Sequence, residues 1–255
     1  GALKLTLDSL GFDSKDLVNF KQAVDSPQGM ILVTGPTGSG KSTTLYAVLG
    51  RLNREEVNIL TAEDPVEYSI DGVGQVQIKE AIGLTFAAAL RSFLRQDPEI
   101  ILVGEIRDTE TADIAIKAAL TGHLVLSTLH TNDAISSVTR LLNMGIPDYL
   151  IAGSLRMAVA QRLVRKNCKS CNVIDDTVTP DLLVSFGFSP GEASRTSLYR
   201  GKGCPDCNGT GFKGRQGVYE VLPISDSIRQ AILQGKGESQ FRELAIEEGF
   251  SSMQT

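Results

Sequence analysis

The residues best suited to chemistry in this sequence form a glycine-rich loop. They match G-x-x-x-x-G-K-[ST], a pattern that binds nucleotide phosphates: Gly35, Pro36, Thr37, Gly38, Ser39, Gly40, Lys41 and Ser42. Backbone N–H groups of such a loop, and the positive end of the helix after it, surround the phosphates. We therefore predict an ATP site in which Lys41 contacts the β- and γ-phosphates and Ser42 binds Mg²⁺, with Thr43 completing the set.

The elements around this loop have the required order. Residues 30–34 are an apolar run that predicts a buried strand, and residues 43–50 predict a helix. An ordinary Gly/Ser turn between a strand and a helix is the alternative. The complete motif and its flanks disfavour that alternative.

Carboxylates follow two further predicted strands. Nucleotide hydrolysis needs a carboxylate to orient or deprotonate the attacking water. Glu105 follows the apolar run 100–103, with Gly104 where such enzymes usually carry an aspartate, and Glu63 follows the run 57–61. Either Glu63 or Glu105 can serve as the base, and the alternative for each is a surface carboxylate without a catalytic role. Because no carboxylate ligand of Mg²⁺ is obvious, we expect the carboxylates to act on the metal through water.

Acidic residues continue after Glu63 as Asp64 and Glu67, and Pro65 biases this segment away from a helix. The chain has two histidines, His123 and His130, which flank the predicted strand 123–127. His130 follows the strand at the edge where α/β sheets bind ligands, so its imidazole can contact the γ-phosphate or a neighbouring acid. A capping or core histidine is the alternative for both.

All four cysteines fall into two C-x-x-C pairs separated by 32 residues: Cys168, Cys171, Cys204 and Cys207. Four thiolates supply a tetrahedral Zn²⁺ site, although the gap between the pairs exceeds that of an ordinary zinc ribbon. Since no acid, base or open ligand position is evident nearby, we predict a structural site. Disulfides are the alternative, and a reducing compartment disfavours them.

Composition limits the class of protein. The 255 residues are 42% hydrophobic, contain no Trp and carry a net charge of −5 with both signs interspersed. The absence of a basic run argues against nucleic acid as a partner. No apolar stretch approaches the roughly 20 residues that span a bilayer, and there is no signal peptide, so we expect a cytoplasmic protein without direct membrane insertion.

Strand and helix signals alternate after the glycine-rich loop, which predicts an α/β fold with a parallel sheet. The further predicted helices are 85–95, 110–120 and 133–144 in the core, a short patch at 181–186, and 227–233 and 239–248 near the end. Between the last two groups, residues 217–221 alternate like a strand. The predicted divisions are a linker from a missing N-terminal domain (1–28), an ATPase core (29–165), a zinc-binding subdomain (166–212) and a C-terminal region (213–255).

Four segments in this order resemble the motifs of the type II secretion and type IV pilus assembly ATPases: residues 35–42, 61–67, 101–108 and 122–130. The resemblance continues through residues 160–165 into the cysteine pairs and covers nearly the whole chain. Gly104 belongs to the pattern of this family. The paired cysteines favour the assembly and secretion branches over the pilus retraction ATPases, which lack them.

The resemblance implies a RecA-like core, a homo-hexamer and ATP hydrolysis that acts on an inner-membrane platform protein and membrane-anchored assembly components. Such a protein would be peripheral at the inner membrane through its partners. Glu63 and Glu105 would serve hydrolysis, and His123 and His130 would sense the nucleotide. The candidates for charge stabilisation or communication between subunits are Arg91, Arg95 and Arg107.

Two other functions remain open on the sequence alone. A nucleic-acid translocase can share a RecA-like ring, and the acidic net charge weakens that alternative. A regulatory module that binds nucleotide without hydrolysing it is the second, and an intact set of Lys41, Ser42, Glu63 and Glu105 argues against it.

Overall fold

Strands and helices alternate along most of the chain. The structure, a computed structural model, describes residues 6–253. Its strands are β1 (Gly29–Thr34), β2 (Ile59–Glu63), β3 (Val73–Gln77), β4 (Ile100–Val103), β5 (Leu124–Leu129), β6 (Leu155–Asn167), β7 (Asn172–Ile174), β8 (Tyr199–Gly201) and β9 (Phe212–Pro223). Its α-helices are α1 (Ser14–Val24), α2 (Lys41–Leu52), α3 (Phe86–Phe93), α4 (Thr109–Leu120), α5 (Ala134–Asn143), α6 (Asp148–Ser154), α7 (Pro180–Ser185), α8 (Pro190–Ala193), α9 (Asp226–Leu233) and α10 (Glu238–Glu247).

The main sheet has seven strands in the order β3-β2-β4-β5-β1-β6-β9. Pairing is parallel between β1 and β5, β1 and β6, β2 and β3, β2 and β4, and β4 and β5. The carboxyl ends of these strands therefore meet at one edge, as in other open parallel sheets that bind ligands. The predicted α/β fold with a parallel sheet is confirmed.

Helices cover both faces of this sheet. Alternate side chains of a strand point to opposite faces. On β1, Met30 and Leu32 join one apolar cluster, which α3, α4, α5, α6, α9 and α10 complete. Ile31 and Val33 join a second cluster, formed with α1 and α2. This burial on both sides explains why the central strands are continuous apolar runs, the pattern that makes them recognisable in the sequence.

The structure also differs from the predicted elements. The strand predicted at 57–61 is shifted toward its carboxyl end and includes Glu63. The side chain of Asn58 instead donates to the carbonyl oxygens of Gln96 and Asp97, at 2.8 and 3.2 Å. The edge strand β3 and the long strand β6 were not predicted, and β3 is polar and only partly buried. The segment predicted as a linker contains α1, whose Phe20 is fully buried.

The described chain divides into two compact units. The first comprises residues 6–162 and 217–253, and the second comprises residues 163–216. In the second unit, β7 and β8 pair antiparallel, with Asn172 opposite Gly201. The predicted domain boundaries at 28, 165 and 212 remain predictions.

Candidate nucleotide site and tetracysteine centre

The glycine-rich loop connects the carboxyl end of β1 to the first turn of α2. Gly35, Gly38 and Gly40 have φ angles of 146°, 78° and 91°, which favour glycine over other residues. At Gly35 a Cβ atom would also collide with the carbonyl oxygen of Gln161. The loop therefore depends on glycine for its conformation as well as for space. In phosphate-binding loops, glycines of this kind let backbone N–H groups turn toward the anion.

The loop fits a phosphate group in one further respect. Ser39 is buried, and its Oγ has no hydrogen-bond partner in the structure. A buried hydroxyl without a partner costs about 1–3 kcal/mol, so its presence calls for a ligand or an ordered water molecule. Residues 35–42 thus have the backbone geometry and the unsatisfied polar group that a nucleotide phosphate would use.

Lys41 begins α2 and folds back over the loop. Its Nζ donates to the carbonyl oxygens of Gly35 and Pro36, at 2.7 and 3.1 Å. Burial lowers the pKa of Lys41, while the charge of Glu105 raises it and that of Arg162 lowers it further. This electrostatic interaction with Glu105 links the loop to the residue that follows Gly104 at the end of β4.

Glu105, His130 and Arg107 form one cluster at the carboxyl edge of the sheet. The two Glu105 carboxylate oxygens contact Arg107 Nη2 and His130 Nε2, the latter at 3.0 Å. Burial raises the pKa of Glu105, but hydrogen bonds and charge from Arg107 and His130 outweigh it and leave this pKa below its ordinary value. Since 14% of the Glu105 side chain is exposed, an anionic carboxylate remains open to water at this edge.

Gly104 is explained by the packing of the strand ends. A Cβ atom there would lie 3.1 Å from the carbonyl oxygen of Ala62 and 3.3 Å from the Cα atom of Glu63. β2 and β4 come so close at this point that an aspartate before Glu105 would need the neighbouring backbone to move. The missing aspartate is therefore a consequence of the packing between the two strands.

Glu63 occupies a different environment from Glu105. It is only 4% exposed, and one carboxylate oxygen accepts a hydrogen bond from Tyr46. The other oxygen accepts from Thr61 Oγ1 at 2.6 Å and from Gln75 Nε2 at 3.1 Å. Both oxygens of each glutamate therefore have protein partners, but Glu63 is almost completely buried, whereas Glu105 is partly exposed beside the exposed side chain of His130.

The structure separates the two histidines. His130 follows β5, at the edge of the sheet that carries the glycine-rich loop, whereas His123 precedes β5. His123 Nδ1 lies 2.9 Å from the carbonyl oxygen of Ala118 at the end of α4. The structure therefore does not bring His123 together with the loop of the same chain. Its part in nucleotide sensing remains a prediction that this position does not support.

The three arginine candidates differ in their surroundings. Arg107 contacts Glu105 and also lies 3.5 Å from Asp64 and 3.6 Å from Glu80. Arg91 forms an exposed ion pair with Glu110, and Arg95 is exposed just after the end of α3. Only the placement of Arg107 joins it to the acidic residues of the candidate site.

Two polar side chains of the site were not predicted from the sequence. Tyr46 lies on α2 one turn after Ser42, and that spacing was a signal, because residues i and i+4 share a helix face. Gln75 lies on β3, which was not predicted at all. Its amide donates to Glu63 and to the carbonyl oxygen of Tyr68, both at 3.1 Å.

The cysteines converge in the second unit. The four Sγ atoms lie within 4.8 Å of one another, with distances of 3.8 Å between Cys168 and Cys204, 3.9 Å between Cys171 and Cys207, and 3.7 Å between Cys204 and Cys207. Zn²⁺ with Zn–S bonds of about 2.3 Å holds tetrahedral sulfurs about 3.8 Å apart. The thiols are free, and these separations far exceed a disulfide bond. The donor set and spacing fit Zn²⁺.

Two backbone N–H groups favour the thiolate form of Cys207. N–H groups of Cys204 and Gly211 donate to its Sγ, at 3.2 and 3.3 Å. Burial raises the pKa of Cys207, but these backbone hydrogen bonds, together with those of the Cys204 and Cys171 side chains, lower it to about 6. Gly211 has a φ of 76°, so the glycine that trails this pair allows the turn that directs its N–H to the sulfur.

A glycine-rich phosphate loop at the carboxyl edge of a parallel sheet, with helices on both faces, defines a P-loop nucleotide-binding protein of the α/β class. Residues 1–255 match the family model described as type II/IV secretion system protein. The chain belongs to this family, and the resemblance inferred from its motifs is confirmed.

Curated relatives come from both branches that the motifs indicated. The chain is 52% identical over 251 residues to the type IV pilus assembly ATPase PilB of Myxococcus xanthus, covering 98% of this chain and 44% of that protein. It is 50% identical over 237 residues to the type II secretion system ATPase E of Vibrio cholerae, covering 93% and 46%. The chain therefore spans about half the length of these relatives.

Solved structures agree with the fold. The Legionella pneumophila ATPase DotB matches with a TM-score of 0.68 and 25% identity, over 97% of this chain and 59% of that one. The pilus retraction motor PilT with bound ADP matches with a TM-score of 0.64 and 29% identity, over 99% and 66%. In residues 6–253, no helix has the length and apolar character needed to cross a bilayer.

Proposed function

We propose that this chain is the ATP-hydrolysing part of a motor for type IV pilus assembly or type II secretion. The observation that supports this most is the cluster of Glu105 and His130 at the sheet edge that carries the phosphate loop, with Lys41 electrostatically coupled to Glu105. A non-hydrolysing module has no need of an anionic, partly exposed carboxylate there. Relatives named as ATPases in both systems agree with this activity.

The phosphate loop binds the nucleotide. Backbone N–H groups and the hydroxyl of Ser39 hydrogen-bond the phosphate oxygens, and Lys41 moves its donors from loop carbonyls to the β- and γ-phosphates. Ser42 and nearby carboxylates would hold Mg²⁺, which neutralises phosphate charge when bound. The phosphates would take over the hydrogen bonds that Lys41 makes to loop carbonyls, and they would give the Ser39 hydroxyl a partner.

Glu105 orients the attacking water and accepts its proton. Its pKa below the ordinary range keeps the carboxylate anionic at neutral pH, so it is ready to accept a hydrogen bond from water. His130 fixes one carboxylate oxygen and lies where it can also contact the γ-phosphate. Arg107 fixes the other oxygen and adds positive charge to this edge.

The chain works with copies of itself and with membrane-bound partners in this proposal. A homo-hexamer would place groups of one subunit at the nucleotide of the next. Force would be passed to an inner-membrane platform protein and membrane-anchored assembly components, so the motor would be cytoplasmic and peripheral to that membrane. Zn²⁺ held by the four cysteines would stabilise residues 163–216 without taking part in hydrolysis.

Replacing Glu105 with Gln tests this function. We expect steady-state ATP hydrolysis to fall by about a hundredfold or more, because a general base contributes roughly 10²–10⁴ in rate. ATP affinity should change little, since Glu105 does not contact the phosphate loop backbone. Phosphate release and equilibrium binding of ATP measure the two quantities.

Glu247→Gln, on the exposed surface of α10, is the control and should leave both quantities unchanged. Equal turnover in wild type and Glu105→Gln would contradict the assigned role. Phosphate release at background level in the wild type would favour a regulatory module, and stimulation by DNA would favour a translocase.

Turnover should also depend on protein concentration. Groups donated in trans complete the site of many ring ATPases and contribute about 10³–10⁵ in rate. We expect residues 1–255 to bind nucleotide but to hydrolyse it slowly when monomeric, with specific activity rising as concentration rises. Analytical ultracentrifugation and phosphate release over the same concentration range would check this. A constant specific activity in samples that remain monomeric would show that one chain carries every catalytic group.

A further inference from the structure

A buried hydrogen-bond network joins α2 to the loop between β2 and β3. We call residues 64–72 the acidic loop, since they include Asp64 and Glu67. The network contains Tyr46 and Glu63, which are buried, and Gln75, which is partly buried. The proposed reaction gives this network no task, although Glu63 is one of the two carboxylates that the sequence offered as a base.

Tyr46 is the centre of the network. Its hydroxyl donates to Glu63, and it accepts from the backbone N–H of Glu67 at 3.2 Å and from Gln75 Nε2 at 3.3 Å. Burial and the hydrogen bond to Glu63 raise the pKa of Tyr46, so the phenol stays protonated and remains a donor at neutral pH. The ring of Tyr68 packs against that of Tyr46, with centroids 4.7 Å apart.

The network ends at the phosphate loop. Ser42 Oγ lies 3.4 Å from Glu67 Oε1, so the carboxylate of Glu67 is beside the hydroxyl that would bind Mg²⁺. Ser42 and Tyr46 are one helical turn apart on α2, and both contact Glu67, one at its side chain and one at its backbone. Carboxylate oxygens and hydroxyls are the ligand types that Mg²⁺ prefers, directly or through its water molecules.

We propose that Tyr46 is a positioning residue that holds Glu67 beside Ser42 for the Mg²⁺ of the bound nucleotide, with Glu63 as the buried anchor of Tyr46. Glu63 then has a structural task, and Glu105 remains the carboxylate available to water. This inference rests on the proposed nucleotide site and adds the residues that tune its response to metal.

The test compares ADP binding with and without Mg²⁺. Calorimetric titration of ADP in Mg²⁺ and in EDTA gives the enhancement of affinity by the metal. Tyr46→Phe deletes one hydroxyl and keeps the ring. We expect it to reduce that enhancement about fivefold to tenfold, the loss of one or two hydrogen bonds, while the affinity in EDTA stays within about twofold.

Two further variants test whether Tyr46 acts through Glu67. Glu67→Gln should reduce the enhancement at least as much as Tyr46→Phe. The double variant should lose no more than Glu67→Gln alone, because residues that act through one another are not additive. Glu67→Gln also keeps the proposal testable if Tyr46→Phe fails to fold.

Tyr219→Phe is the matched control. It removes a partly buried tyrosine hydroxyl that donates to the carbonyl oxygen of Leu10 at 3.1 Å, and it should keep the full enhancement. An equal loss of affinity in Mg²⁺ and in EDTA for Tyr46→Phe would overturn the inference, as would a normal enhancement in Glu67→Gln. A wild-type chain that bound no ADP in either condition would instead overturn the proposed function.

Discussion

Lys41→Ala is expected to weaken ATP binding by roughly a hundredfold, the effect of removing about 3 kcal/mol of charge-assisted hydrogen bonding. Lys41 Nζ already lies over the loop, where it donates to the carbonyl oxygens of Gly35 and Pro36. Its loss leaves the β- and γ-phosphates without their cation, whereas the backbone N–H groups remain. Equilibrium titration with a non-hydrolysable ATP analogue gives the affinity directly.

Lys117→Ala is a suitable control for this experiment. Lys117 is exposed in the last turn of α4 and pairs with Asp113, so its removal deletes a lysine of equal charge away from the loop. We expect its ATP affinity to match that of the wild type. An affinity of Lys41→Ala within a few-fold of the wild type would mean that the loop does not hold the triphosphate. The comparison with Glu105→Gln then separates binding from turnover.

Cys207→Ser is expected to remove Zn²⁺ and to destabilise residues 163–216. The wild-type chain should contain about one zinc ion, bound by all four cysteines, because structural zinc contributes directly to folding. Serine cannot replace this thiolate: burial raises the pKa of Cys207, but hydrogen bonds from two backbone N–H groups and from Cys204 and Cys171 lower it to about 6. Elemental analysis and thermal unfolding of freshly purified protein measure both effects.

Nucleotide affinity should change much less than stability in this variant, because the cysteines and the phosphate loop belong to different compact units. Ser170→Ala is the control. It removes the 2.6 Å hydrogen bond that joins Ser170, in the first cysteine pair, to Asp206, in the second. Since it removes no zinc ligand, this variant should retain zinc. A wild-type chain with a zinc content near zero would refute the site, as would a Cys207→Ser chain with full zinc.

Much of the nucleotide-binding unit could be predicted because its signals are local. β1, β4 and β5 are buried on both faces, so they are continuous apolar runs in the sequence. Helix α5 begins after Asp133, whose side chain accepts from the N–H of Ser136 at 2.7 Å, a cap that the sequence displays. The phosphate loop needs particular residues at fixed positions within eight residues, so its spacing alone identifies it.

The elements that were missed depend on distant partners. β3 is partly exposed and polar, and its strand structure comes from its pairing with β2. The C-x-x-C spacing marks each pair of candidate metal ligands locally. The 32 residues between the two pairs must nevertheless fold back before the four sulfurs can meet. The antiparallel pairing of β7 and β8 lies within that gap, and spacing along the chain could not predict it.

The sequence by itself predicted the phosphate loop with Lys41, the candidate carboxylates Glu63 and Glu105, and the four cysteine sulfurs as metal ligands. It could not distinguish Glu63 from Glu105, because both are glutamates that come at the ends of neighbouring parallel strands. The tertiary structure gives the two glutamates different environments, with Tyr46 and Gln75 hydrogen-bonded to Glu63 and His130 beside Glu105. It likewise placed His123 and His130 at opposite ends of β5. Burial and hydrogen bonding are properties of contacts between distant segments, and these contacts set the exposure and the hydrogen-bond partners of each carboxylate.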